Sequence, residues 1–184
     1  MGSVLALDIA TKTGWALWDP QYPQRPYLGS IRLPADVQEI GRAGSAMVQF
    51  LTDRHQMHGG LSHIVFEAQH VAGGKIDIHV IARLLGLAGI VEWFAHEIRA
   101  TCYSVHISTW RKHALGSGNL TRERAKLLAM QEARRLGMDP GNDDEAEAFC
   151  ILDYYLALRE KKGDASVSRP WRDAAFLNPK AGAR

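Results

Sequence analysis

The chain has 184 residues, enough for one domain with a substantial core and too few for two ordinary ones. Lys plus Arg number 22 and Asp plus Glu 20, so the net charge of +2 says little about partners until its distribution is read. The two cysteines, Cys102 and Cys150, lie in apolar stretches without metal-ligand spacing, which excludes a zinc motif and a disulfide framework and fits buried thiols in a reducing compartment.

Residues 4–7 (Val-Leu-Ala-Leu) are apolar without a break, as in a strand buried on both faces, and the run stops at Asp8. A carboxylate delivered to the lip of a sheet is costly unless it meets a cation or hydrogen bonds, so Asp8 needs partners. Asp8 also interrupts the N-terminal apolar run, so no signal peptide is expected, and no uninterrupted apolar run reaches transmembrane length. A cytoplasmic protein without membrane contact is expected. After a Thr/Lys/Gly turn, residues 14–18 read as a second strand. Residues 19–26, rich in Pro and Gln, form a connecting turn, and residues 27–33 a third strand, completing an antiparallel meander.

Pro34-Ala35-Asp36 resembles a helix start with Asp36 as cap. Val37, Ile40, Ala43, Met47, Phe50 and Leu51 then keep helical spacing to about His55. Residues 63–67 repeat the logic of the first strand: a short apolar run that stops at a carboxylate, Glu67. Residues 69–75, with Gly73-Gly74, read as a mobile loop containing His70 and Lys75. Residues 76–98 form a long helix, apolar around most of its circumference, which suits a place between the sheet and a partner subunit and predicts a homodimer. Residues 102–107 give a fifth strand, 109–115 a helical turn, and 116–119 a flexible breaker. Thr121 caps a basic helix to about Leu136, and Asp143 starts a last helix through about Lys161. The domain is thus expected over residues 1–162, with 163–184 a weakly ordered basic tail. Three strands in a meander, then helix, strand, helix, strand and helices, is the order of an α/β layered fold.

Charge is concentrated in two places. Between residues 111 and 135 stand Arg111, Lys112, Arg122, Arg124, Lys126, Arg134 and Arg135 against Glu123 and Glu132, a surface suited to phosphates. Directly after it comes Asp143-Asp144-Glu145-Ala146-Glu147. Asp143 and Glu145 read as acids complementing a helix N-terminus. Asp144 and Glu147, three apart, share a helix face, and the alanines flanking Glu147 turn it towards the sheet. Asp8, Glu67, Asp144 and Glu147 therefore come from two strand ends and one helix start. An all-oxygen set of four carboxylates suits Mg²⁺ or Mn²⁺, and two such ions can activate water and stabilise a leaving oxygen in phosphodiester hydrolysis.

With these motifs the sequence resembles the RuvC-type Holliday-junction resolvases of the RNase H-like superfamily, in its phage-encoded branch, over about residues 3–160. The resemblance lies in Leu5-Ala6-Leu7-Asp8 with Thr13-Gly14-Trp15-Ala16, in Ile64-Val65-Phe66-Glu67, and in Leu85-Gly86-Leu87-Ala88-Gly89. It continues in Trp110-Arg111-Lys112, in Gly116-Ser117-Gly118-Asn119 and in Asp144-Glu145-Ala146-Glu147-Ala148. It implies a mixed five-stranded sheet, three antiparallel strands then two parallel, flanked by helices. It implies Asp8, Glu67, Asp144 and Glu147 as catalytic and metal-binding residues, with two Mg²⁺ or Mn²⁺ ions per active site. The implied activity is that of a crossover junction endodeoxyribonuclease in DNA recombination and repair, a homodimer nicking a four-way junction symmetrically in a bacterial or phage-infected host cytoplasm. DNA contacts fall on Arg111, Lys112, Arg122, Arg124 and Lys126, and on His70 and Lys75 of the loop. Three departures from the family pattern fall on four positions: Glu147 stands where aspartate is usual, His70 replaces an aromatic wedge, and Arg111 and Arg122 replace lysines. Other readings are an RNase H-like nuclease for general branched DNA or RNA-containing substrates, a non-catalytic junction-binding protein, and an actin-like ATPase, for which one domain leaves no interdomain cleft.

Overall fold

In the computed structural model, which describes residues 2–35, 40–69 and 77–177, the opening apolar run is the central strand β1 (Ser3–Asp8). A tight hairpin returns the chain as β2 (Lys12–Trp18), and β3 (Tyr27–Arg32) completes the meander. Helix α1 (Ile40–Met57) leads to β4 (Leu61–Glu67), which lies parallel to β1 on its other side. Helix α2 (Ile78–Glu97) crosses to β5 (Thr101–Val105), parallel to β4. The sheet order is β3-β2-β1-β4-β5, the mixed five-stranded arrangement expected. Helices α3 (Ile107–Leu115), α4 (Arg122–Arg135), α5 (Asp143–Lys161) and α6 (Pro170–Leu177) follow.

Strand alternation sorts the sheet's side chains into two cores. Leu5, Leu7, Leu17, Ile64 and Phe66 face α1 and α2, where Met47, Leu51, Leu87 and Val91 cover them. Val4, Ala6, Ala16 and Val65 face α5. Val4, Ala6, Ala16 and Val65 are small, and α5 lies close against β1 and β2. Covered by the sheet below and by α3, α4 and α6 around it, α5 buries residues on nearly all sides, including Phe149, Ile151, Leu152 and Leu156.

Some boundaries differ from expectation. The helix start assigned to Asp36 and Val37 lies outside the described residues, and α1 is described from Ile40. β5 ends at Val105 because His106 caps α3, its Nδ1 accepting from the Ser108 amide at 3.3 Å. The segment after Gly163 is not merely a weakly ordered tail. Trp171 of α6 is buried against Phe149, with ring centroids 6.0 Å apart, and Val167 is buried beside it. Composition hid this, because two apolar side chains and several arginines are enough to dock a short helix on a larger one.

Helix α2 is apolar on more than one face, as expected. By length and composition alone it is long and apolar enough to cross a membrane. Here its inner face lies on the sheet and on α1, with Leu87, Val91, Phe94 and Ala95 in the core. The buried Arg83 donates to the Pro34 carbonyl. Leu85 and Trp93 are about half exposed on the other side.

Candidate active site

The same alternation that builds the cores aims the acids. Val4 and Ala6 point to α5, so the next residue of that parity, Asp8, does too. Val65 points to α5, and so therefore does Glu67. The two acids follow the paired Leu7 and Phe66 at the same end of adjacent parallel strands. The start of α5 meets them there. A Cβ on Gly14, which pairs with Asp8, would lie 2.0 Å from the Asp144 carbonyl oxygen, so glycine is what lets the helix terminus come this close.

The end of α5 is held by its own cap. Asn142 Oδ1 accepts from the Glu145 amide at 3.2 Å. The Glu145 carboxylate accepts from the Gly141 amide at 2.9 Å, from Asn142 Nδ2 at 2.7 Å and from Ser30 Oγ of β3 at 3.1 Å. Glu145 is thus a structural acid, as expected. Asp143 pairs with Lys126 of α4. Asp144 and Glu147 are left facing a cleft of about 330 Å³ that Asp8 and Glu67 also line.

Basic residues share the cleft: Arg111, Arg122 and Lys126 line it with the four acids. Lys112 and Arg124 are exposed but not among its lining residues, while His70 and Lys75 lie outside the described residues. Arg111 is almost fully buried; its guanidinium lies 5.3 Å from the Trp110 ring and 3.5 Å from Glu147 Oε1, and its Nε has no hydrogen-bond partner. None of the described histidines lines the cleft: His79 is exposed on α2, His106 caps α3 and His113 bonds Asp153 at 3.1 Å.

Two contacts went unread in the sequence. Trp110 Nε1 donates to Glu67 Oε2 at 2.7 Å, and Lys12 Nζ lies 2.9 Å from Asp144 Oδ2. The only sequence signal for Lys12 was its place in the turn after Asp8. Nothing local ties Trp110 to a carboxylate 43 positions away.

Crowding of acids shifts their protonation. Burial, then the charges of Glu147, Glu67 and Asp144, push the Asp8 carboxyl well above the usual range. Burial pushes Glu147 up to about 7 although Arg111 opposes it. Burial raises Glu67 against the pull of the Trp110 hydrogen bond and the Arg111 charge. A multivalent cation relieves all three at once. The donor set, carboxylate oxygens in negative excess, fits a hard divalent ion. Among the described residues, however, no three Asp, Glu, His or Cys side chains are gathered closely enough to hold an ion as they stand. The arrangement is that of acids paired with protein groups: Asp144 with Lys12, Glu67 with Trp110 and Glu147 with Arg111.

No protein-family model and no curated protein matches the sequence. Solved structures do match. Thermus thermophilus RuvC superposes with a TM-score of 0.59 at 16% identity, covering 88% of this chain and 97% of that one. T. thermophilus RuvC in complex with a Holliday junction substrate gives 0.58 at 15% identity, with the same coverage. The yeast mitochondrial Holliday junction resolvase Ydc2 gives 0.51 at 13% identity, covering 98% of this chain and 82% of that one. At these identities the likeness is one of fold. The chain has the RuvC-type, RNase H-like fold that its motifs predict.

Proposed function

We propose that the chain is a divalent-metal-dependent endonuclease that resolves four-way DNA junctions by paired nicks, acting as a homodimer. The observation that carries the reading is the convergence of Asp8, Glu67, Asp144 and Glu147 on one cleft, with Arg111, Arg122 and Lys126 around it. A RuvC-type fold whose known examples include a junction complex points the same way.

Asp8, Glu67, Asp144 and Glu147 would hold Mg²⁺ or Mn²⁺, two ions per site. When bound, such ions activate a water and stabilise the leaving oxygen of a phosphodiester. The chain's own side chains do the rest. Arg111, Arg122 and Lys126, which line the cleft, would offer positive charge to the phosphate there. Trp110 fixes the orientation of Glu67 through a donor-only indole N–H. For the dimer, the open face of α2 with Ile78, Leu85 and Trp93 is the supporting surface.

The test is cleavage of a labelled four-way junction with Mg²⁺ or Mn²⁺, beside linear duplex, a fork and an RNA–DNA hybrid. Paired nicks restricted to the junction are expected. Asp8→Asn should abolish cleavage and leave junction binding intact or tighter, because one charge facing phosphate is removed. Cutting of forks as well would indicate a general debranching nuclease, and cutting of the hybrid alone would overturn the substrate.

A further inference from the structure

We propose that Lys12 is a built-in cation that holds Asp144 until a divalent ion displaces it, and that the freed ammonium then strengthens the grip on DNA at the same cleft. The inference rests on the reading of the cleft as a metal-dependent nuclease site. It adds a positioning residue and a coupling between metal and DNA binding.

The hairpin that carries Lys12 is fixed on both sides. Asp8 pairs with Gly14 across it, Thr13 Oγ1 donates to the Ala10 carbonyl at 2.7 Å, and the Leu33 amide donates to the Thr11 carbonyl at 2.8 Å. With the backbone held in this way, the long Lys12 side chain can leave Asp144 without disturbing the turn. It reaches Asp144, whose backbone is seated against Gly14 on the same hairpin. The two partners are unlike in what surrounds them. Asp144 faces a cleft with three further acids, whereas the Lys12 side chain is 37% exposed and returns to water at small cost.

A partly exposed pair of this kind is weak, equivalent to about a two- to fivefold factor in an equilibrium. It is strong enough to neutralise Asp144 when no metal is present and too weak to resist a divalent ion. An ion held by Asp144 repels an ammonium bonded to the same carboxylate, so each occupation weakens the other. The released ammonium stays at the cleft's edge on a short rigid turn, where a phosphodiester is the available anion. By linkage, metal then favours DNA and DNA favours metal by the same factor. A plain surface salt bridge predicts neither effect.

The experiment measures Mn²⁺ binding by calorimetry without DNA, and binding of a phosphorothioate-protected four-way junction by anisotropy with EDTA and with Mn²⁺. The proteins are wild type, Lys12→Met, Lys12→Gln, Lys12→Arg and Asp8→Asn, each checked for folding by its melting temperature. Lys12→Met and Lys12→Gln are expected to bind Mn²⁺ about two- to fivefold more tightly than wild type. Their Mn²⁺-induced gain in junction affinity should shrink by a similar factor, with Lys12→Arg close to wild type. Unchanged or weaker Mn²⁺ binding in the folded Met and Gln variants, or an undiminished gain, overturns the role of Lys12 alone, provided that Asp8→Asn lowers Mn²⁺ affinity. No Mn²⁺ binding by wild type, or binding indifferent to Asp8→Asn, overturns the metal reading and the Lys12 role with it.

Discussion

Gly14 sets how near α5 comes to the sheet. A side chain there would have to displace the Asp144 carbonyl, to which a Cβ would stand at 2.0 Å, and that is backbone rather than a movable side-chain end. Gly14→Ala is expected to cost about 1–3 kcal/mol, as overpacking does, and to weaken Mn²⁺ binding by shifting Asp144. Gly41 is the contrast. It lies in α1, a Cβ on it meets nothing within 4 Å, and Gly41→Ala should raise stability by about 0.5–1 kcal/mol. Chemical denaturation and calorimetry of both variants check the pair, and a Gly14→Ala protein as stable as wild type would refute the close approach. At this scale the acids were legible because Asp8 and Glu67 end apolar runs, Glu147 sits among alanines, and Asp144 shares a helix face with Glu147. Their partners Lys12 and Trp110 were not, because neither contact is local.

Among the elements, α6 shows how a short helix is anchored by one buried acid. Asp153 of α5 is fully buried and accepts from Trp171 Nε1 at 2.9 Å, Arg172 Nε at 3.1 Å, Arg169 and His113. Burial by itself would raise this carboxyl, but the His113 and Arg172 hydrogen bonds, the Arg172 charge and the Trp171 bond hold it far below the usual carboxylate range. A carboxyl depressed in the folded state contributes stability above its unfolded value of about 3.9, and loses it as pH falls further. Asp153→Asn should therefore melt below wild type at neutral pH, with the gap closing as pH drops below about 4. A gap independent of pH would show that the charge of Asp153 is not what holds α6. The helix was missed in the sequence because its anchor lies on another element.

For the molecule as a whole, the proposed dimer is the feature with the clearest consequence. Ile78, Leu85 and Trp93, spaced seven and eight apart, fall on one face of α2, and all three are exposed. The double variant Leu85→Glu with Trp93→Glu places two charges on that face without touching the core. It is expected to halve the mass found by light scattering at micromolar concentration and to replace paired nicks by single ones. Its thermal stability should stay within about 1 kcal/mol of wild type, as for exposed substitutions. A monomeric wild type would remove the dimer from the proposal.

Strand ends, helix periodicity and caps are written locally. From them alone followed the meander, the alternation of strands and helices, and the grouping of the four acids that line one cleft. What local pattern does not contain is which groups meet after folding. That Asp144 rests on Gly14 and meets Lys12, that Trp110 holds Glu67, and that Asp153 gathers α6 were decided only by the tertiary structure. These contacts join residues far apart in the chain, and a hydrogen bond or ion pair leaves no periodic trace in sequence; it exists only when packing brings donor to acceptor.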